Sequence, residues 1–364
     1  MKPNYKVSKL QVTNFRNLEP DIISFSPNIN CILGENGNGK TNILEALYYI
    51  SYRKSFRKNT SFPQIISIDC EEPEIIFSSV YDNEGENFSY SGKLNMNGST
   101  WFADGKATKK KPQVDYVFIS PFDAFSFNNV PSFRRKWFDD QISLIDKQYK
   151  KVLNQYNSAL RFRNTLLSKK PSDYIGQIKV IDKQMATYSF NLLQMRKKFV
   201  DQISPFIGEI YKQVFSEENE LIINIDSRFL NFDEDQIYDY MQSRLDKDCA
   251  IGHTSYQVHK DDYVLLFNGM NSYEFCSLGQ QKMSYLSLLF AYIELFRYIY
   301  VSTPIVLIDD VSGELDQVRW ANLINYLEKQ TFQVLITTAN EKFKEELEKI
   351  EGANRIYISK GSIH

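Results

Sequence analysis

The segment GENGNGKT at positions 34–41 constrains this chain more than any other stretch. It satisfies the spacing GxxxxGK[ST]. In that pattern glycines let backbone N–H groups converge on phosphate oxygens, the lysine neutralises β/γ charge, and the final hydroxyl holds magnesium. The context agrees. Residues 28–33 read as a short buried strand, and an apolar-periodic helix opens near Lys40. Gly34, Glu35, Asn36, Gly37, Asn38, Gly39, Lys40, Thr41 and Asn42 are therefore candidate ATP contacts, with Lys40 a candidate catalytic residue and Thr41 a candidate Mg2+ ligand.

A phosphate loop needs a carboxylate at the end of a neighbouring strand. The uninterrupted apolar run IVLI at 305–308 ends in Asp309 and Asp310, as a strand buried in a parallel sheet would. Asp309 is the candidate for the metal and Asp310 for orienting or deprotonating the attacking water. Two adjacent acids more often cap a strand end or a helix, and the phosphate loop is what raises the functional reading above that one. SLGQQ at 277–281 stands some thirty residues earlier, ahead of the apolar helix MSYLSLLFAYIELF. It looks like the ABC signature motif, which offers Ser277, Gly279, Gln280 and a helix N-terminus to a γ-phosphate on an opposite subunit; taken alone it is equally an N-capped helix. SGELD at 312–316 resembles the D-loop that follows in such proteins.

Elsewhere the pattern is that of a soluble α/β chain with an insertion. At 364 residues, 43% hydrophobic and 24% charged, it is long enough for two domains and able to bury a core. Residues 7–25 read as a hairpin, and 61–118 as a β meander with exposed turns. From 131 to about 216 the period becomes helical: Tyr174, Ile178, Ile181, Met185, Tyr188, Leu192, Met195 and Phe199 step by four and three. With a break at SKKPSD (168–173), this predicts an antiparallel helical hairpin. The runs LIINIDSRF and YVLLFNG, then IVLID and QVLITT with helices between them, predict a parallel sheet at the C-terminal end. The expected domains are a head formed by 1–130 and 218–364, and a helical lobe at 131–217. Four scattered cysteines and three histidines give no metal or disulfide spacing. No apolar stretch has the length of a signal peptide or a membrane span, so the expected location is cytoplasmic with no membrane partner.

Taken in order, NFRN (14–17), GENGNGKTNILEAL (34–47), SFR (55–57), FRRKWFD (133–139), YNSALRFRNTLL (156–167), HKDD (259–262), SLGQQ, IDDVSGELD (308–316) and QVLITT resemble the bacterial RecF family over roughly residues 5–360. The resemblance implies an ABC/SMC-type ATPase head with mixed sheet and β-rich lobe plus a helical lobe. It also implies an ATP-dependent homodimer and slow Mg2+-dependent hydrolysis. The functions implied are DNA binding at gaps or single-strand/duplex junctions, and cooperation with RecO and RecR in loading recombinase during repair, replication-fork maintenance and SOS induction. It places Arg57 of the SFR element close to the nucleotide. Gln257-Val258 stands where the family commonly has Gly-Pro, and Thr337-Thr338 where transporter ABC proteins place a switch histidine, so no histidine is assigned to γ-phosphate sensing.

The net charge of −2 requires DNA contact to come from local patches. Arg53, Lys54 and Lys58 lie just past the phosphate-loop helix among aromatics, and Lys106, Lys109, Lys110 and Lys111 occupy a turn of the meander; each set is also what a solvated loop looks like. The competing identities are an ATPase of another SMC/Rad50-like DNA complex, a transporter ATPase and a small-molecule P-loop kinase. About forty residues per helix reach only ~60 Å, short for a long-armed SMC protein. The switch histidine is absent, and a kinase leaves SLGQQ and the hairpin unexplained.

Overall fold

A computed structural model describes residues 3–57, 59–68, 70–310, 315–338 and 340–364, with the side chains of Pro121 and Phe122 outside the description. The chain divides into two compact units, one of 1–123, 213–215 and 292–364, the other of 124–212 and 216–291.

The first unit carries two six-stranded sheets. In one, strands β1 (Lys6–Thr13), β2 (Ile23–Ser24), β4 (Glu74–Asn83), β5 (Glu86–Asn95), β6 (Gly98–Ala103) and β7 (Lys106–Ala107) pair antiparallel in the order β2-β1-β4-β5-β6-β7. Burial alternates along β1 and β4, which turn one face to the core. The other sheet runs β15 (Ser362–Ile363), β14 (Asn354–Ser359), β3 (Ile29–Leu33), β13 (Val334–Thr338), β12 (Ile305–Asp309), β8 (Tyr116–Ile119), parallel except at β15. Here β3 and β13 are buried at every position and β12 at all but Asp309, because helices flank a parallel sheet on both faces. Helix α1 (Lys40–Tyr52) packs its Ile43, Leu44, Leu47 and Ile50 into the shared core; α2 (Phe62–Ile65) is a single turn. Helices α11 (Gln317–Glu328) and α12 (Glu341–Glu348) complete the unit, Trp320 of one meeting Phe343 of the other.

The second unit holds α4 (Pro131–Ile145), α5 (Lys147–Lys169), most of α6 (Tyr174–Val214), α7 (Glu234–Ser243), α8 (Leu245–Ile251), α9 (Ser272–Phe275) and the start of α10 (Leu278–Tyr300); α3 (Pro121–Asn129) leads into it. Two sequence expectations change here. Strands β9 (Leu221–Asp226) and β10 (Asp262–Phe267), expected in the parallel sheet of the head, instead pair antiparallel with each other and with β11 (Met270–Asn271) in a separate three-stranded sheet. They group with the helices because β10 is tied to α4 by the Arg134–Asp262 ion pair and the Phe138–Tyr263 ring stack at 3.6 Å. Residues 216–291 accordingly group with 124–212 in one compact unit. The heptad stripe of α6 is also offset. Ile178, Met185, Leu192 and Phe199 are buried as expected, but the alternate row of the seam is Asp182, Ser189, Arg196 and Ile203, while Ile181, Tyr188 and Met195 are half-buried. Polar residues hold those inner places because each has a partner waiting: Arg163 for Asp182, Gln257 for Ser189, Asp139 for Arg196.

HKDD is part of this core. Asp262 binds Arg134, His259 Nδ1 lies 3.0 Å from the Tyr156 hydroxyl, and Asp261, 1% exposed, faces Arg196 at 3.5 Å with Asp226 and Arg135 near. Of the pair Gln257-Val258 that stands in place of Gly-Pro, Gln257 is fully extended and buried and Val258 opens the short turn 258–260. Burial outweighs the pull of Arg196 and pushes the Asp261 carboxyl up to about 7, and it pushes the His259 imidazole down to about 4. A raised carboxyl favours the fold below its unfolded value and loses that contribution as pH climbs to about 7. A lowered imidazole favours the fold above its unfolded value and loses it as pH falls to about 4. The slopes oppose each other through mildly acidic pH. Asp261→Asn is expected to stabilise the chain more at pH 8 than at pH 5, by about 2–3 kcal/mol. Urea unfolding at the two pH values measures this; an equal change at both contradicts it.

Candidate active site

The parallel order β3-β13-β12 places the end of β13 between the phosphate loop and the acids that end β12. All three open at the carboxyl edge of the sheet, where ligands of α/β proteins bind. The loop turns on its glycines. A Cβ at Gly34 would meet the Ile358 carbonyl at 2.3 Å, and Gly37 and Gly39 take φ of 82° and 109°, which side chains with a Cβ resist. Two outside segments brace it. Asn17 Nδ2 donates to Gly37 O at 2.8 Å, and the C-terminal turn donates Gly361 N to Asn38 O and Lys360 N to Asn38 Oδ1.

Lys40, 7% exposed, donates Nζ to the Gly34 and Glu35 carbonyls at 2.6 and 2.9 Å, which keeps its charge inside the loop's concavity. Burial lowers its pKa, and Asp310, Asp309 and Glu341 pull the other way. Thr41 Oγ1 donates to Asp309 Oδ1 at 2.7 Å, and Thr337 Oγ1 donates to the same oxygen at 2.9 Å. Burial raises the Asp309 pKa while those two hydroxyls and Arg57 oppose the rise. Asp310 takes φ 41°, with its N–H donating to both the carbonyl and the hydroxyl of Thr337. Thr337, at the place where a switch histidine would stand, thus holds both acids. Arg57 reaches Glu45 at 2.8 Å and Asn42 Oδ1 at 2.8 Å.

These groups line one cavity of ≈ 690 Å³, a volume suited to a nucleotide. Asn36, Gly37, Gly39, Lys40, Thr41, Asn42, Arg57, Asp309 and Asp310 line it; Gly34, Glu35 and Asn38 shape the loop behind. Phe56, Phe118, Ser120, Asp123 and Thr337 also line it. Of these, Ser120 and Asp123 follow the end of β8 and were not among the sequence candidates. The available signal was their position after a strand in the same sheet.

Ser277, Gly279 and Gln280 belong to the second unit. Ser277 accepts from Gln280 N at 3.3 Å and donates its own N–H to Gln280 Oε1 at 2.9 Å, a reciprocal cap on α10. A Cβ at Gly279 would meet nothing within 4 Å, and Leu278 and Phe275 beside it are 70% and 67% exposed. Of the D-loop, Leu315 is buried and Asp316 caps α11 by accepting from Arg319 N; 312–314 lie outside the described residues.

The two basic clusters, fifty residues apart in sequence, come together. Arg53 donates to the Lys110 carbonyl at 2.8 Å and the Tyr90 hydroxyl at 2.7 Å, with its guanidinium 4.9 Å from the Trp101 ring centroid, and Lys111 Nζ reaches the Tyr52 carbonyl at 2.8 Å. Arg53 is thereby a bracket between the clusters, while Lys54, Lys106, Lys109, Lys110 and Lys111 are exposed around it. Lys58 lies outside the described residues. No helix among the described residues is long and apolar enough to cross a membrane.

A phosphate loop facing strand-end acids across a parallel sheet, with an antiparallel sheet beside it and a separate unit bearing SLGQQ at a helix start, defines an ATPase head of the ABC/SMC class. The family model described as RecF/RecN/SMC N terminal domain matches residues 6–360. The DNA replication and repair protein RecF of Clostridium kluyveri is 31% identical over 369 residues, 98% of this chain and 99% of its own, and that of Azobacteroides pseudotrichonymphae is 31% identical over 361 residues, 97% of each. Among solved structures, the recombination mediator protein RecF-ATPrS of the RecFOR pathway superposes with a TM-score of 0.80 at 25% identity, covering 100% of this chain and 98% of that one. An Smc head domain from Pyrococcus furiosus, at TM-score 0.60 and 13% identity over 99% and 95% of the two chains, shares the fold. The chain belongs to the RecF family, and with it to the ATP-binding and hydrolysing heads of the RecF/SMC class.

Proposed function

We propose that this chain is an ATP-gated, DNA-binding recombination mediator of DNA repair. Two copies close head to head so that Lys40 of one and Ser277 of its partner meet the same triphosphate; the closed dimer binds DNA at single-strand gaps or duplex junctions. Hydrolysis, slow compared with metabolic ATPases, releases it. RecO and RecR are the partners that family membership points to, in loading recombinase.

The strongest support is the pairing of a phosphate cavity with an exposed helix start whose glycine its own fold does not require. Gly279 sits in a first helical turn with open space where a Cβ would be, although glycine costs about 1 kcal/mol there relative to alanine. Backbone that must be approached closely by a ligand accounts for it. Lys40 neutralises phosphate charge, and Asp310 accepts the proton of the attacking water. Mg2+ fits the site: Thr41 Oγ1 and Asp309 offer hard oxygen ligands 2.7 Å apart. Among the described residues no group of three or more His, Cys, Asp or Glu forms a protein-only cage; an ion held partly by nucleotide phosphates is what Mg2+ prefers. Held there by Thr41 and Asp309, it would supply positive charge to offset that of the phosphates.

The basic surface made by Lys54, Lys106, Lys109, Lys110 and Lys111 supplies backbone contacts to DNA, with Arg53 as its bracket. The test is DNA affinity with ATP, with ADP and without nucleotide, on gapped, single-stranded and blunt duplex substrates at two salt concentrations. Tight binding is expected with ATP alone, strongest on gapped DNA, and weakening with salt by a log–log slope of about −0.9 per phosphate neutralised. Ser277→Arg should abolish dimerisation by light scattering and lower hydrolysis while the monomer still binds ATP. Affinity indifferent to nucleotide, or loss of monomer ATP binding in that variant, overturns the reading.

A further inference from the structure

Three sequence elements around the phosphate loop meet at one carboxylate. They are NFRN, the glutamate of GKTNILEAL and SFR. Glu45 lies in α1 one turn beyond Thr41, with its side chain 0% exposed. Arg16 donates to it side-on, Nε to Oε2 at 3.1 Å and Nη2 to Oε1 at 2.8 Å; Ser55 Oγ donates to Oε1 at 2.5 Å; Arg57 Nη1 reaches Oε2 at 2.8 Å. A buried carboxylate is tolerated when donors fill its lone pairs, and four do so here. Two guanidiniums around one carboxylate leave the cluster with a net positive charge. Arg16 and burial both work against the Arg57 charge, and Glu45 is the largest influence supporting it.

Arg57 is the member of this cluster that lines the cavity. Its Nη2 donates to Asn42 Oδ1, Asn42 Nδ2 donates to Asn17 Oδ1, and Asn17 Nδ2 donates to Gly37 O, so the guanidinium is linked by side chains to the phosphate loop itself. Two of its five donors are thus directed at Glu45 and Asn42. Thr41 and Asp309, the candidate metal ligands, line the same cavity as Arg57.

We propose that Glu45 is a positioning residue that holds the Arg57 guanidinium at the terminal-phosphate end of the cavity, so that the site distinguishes ATP from ADP through Arg57. The proposal rests on the proposed ATP site, since Arg57 lines the same cavity as Lys40, Thr41 and Asp309. A bracket that merely joins three loops would affect both nucleotides alike; a positioning role acts only while Arg57 is present. The experiment compares the full chain with Glu45→Gln, Arg57→Gln and the double variant, measuring ATP and ADP affinities and ATP turnover with Mg2+. Expected are about tenfold losses of turnover in each single variant, ATP affinity weakened severalfold, ADP affinity within twofold of the original, and a double variant no worse than Arg57→Gln. Glu45→Asp, which keeps the charge but withdraws the carboxylate, should show the same selective loss and serves if Glu45→Gln does not fold. Equal loss of ATP and ADP, or a double variant whose defect multiplies the single ones, overturns the role of Glu45. An Arg57→Gln protein with unchanged ATP affinity and turnover removes instead the assignment of Arg57 to the nucleotide.

Discussion

Replacing Asp310 by Asn is expected to lower ATP turnover at least about 100-fold, the range of a lost general base, while ATP binding survives. Asn keeps the size of the side chain and leaves intact the backbone hydrogen bonds to Thr337 that hold this residue at φ 41°. What it removes is the proton acceptor. Under the proposed mechanism the variant should also remain dimeric with ATP for longer than the original. Phosphate release and ATP affinity, measured side by side, check the split between chemistry and binding. The informative control is Asp123→Asn, since Asp123 is another acid lining the cavity. A large loss at Asp123 with normal turnover at Asp310 would transfer the base to the end of β8.

The largest stability effect is expected at Arg163. Its guanidinium is 0% exposed, grips both oxygens of Asp182, and reaches Asp248 at 2.7 Å and Thr254 at 2.9 Å. Asp182 is 0% and Asp248 3% exposed, and burial raises the Asp182 pKa even with Arg163 present. Arg163→Ala leaves two carboxylates in the interior without their cation, which destabilises by about 3–5 kcal/mol. The charges themselves are not required for the fold: the triple replacement Arg163→Met, Asp182→Leu, Asp248→Leu should recover most of that loss, because a well-packed apolar substitute avoids the desolvation cost altogether. Urea unfolding of the full chain measures both. If the triple variant is no more stable than Arg163→Ala, packing and not ion pairing governs this site.

The phosphate loop and the acid-terminated strand could be read from sequence because their chemistry is local: consecutive residues fix the turn, the lysine and the helix start. The resemblance to RecF added Arg57, which lines the cavity. The stripe of α6 was legible as a period but not in its details. Apolar Ile181 and Tyr188 sit beside the seam, and Asp182 and Ser189 within it, since a one-residue choice of inner face depends on partners far away in the chain. Strands β9 and β10 looked like their parallel counterparts because both kinds are apolar runs; which sheet they join depends on Arg134 and Phe138, about a hundred residues earlier.

By itself, then, the sequence determined that this chain has a phosphate loop, a strand ending in two acids, a signature-like helix start and a long helical insertion, the first three each encoded within a dozen neighbouring residues and the last by its repeating period. Tertiary structure alone decided that Thr337 joins both acids, that Glu45 gathers Arg16 and Arg57, that Ser120 and Asp123 face the cavity, and that Arg53 clasps the second basic cluster. The reason is physical. Local patterns are set by backbone preference and periodicity, whereas the pairing of a buried charge or hydroxyl is set by whichever distant segment the sheet order brings within hydrogen-bond reach.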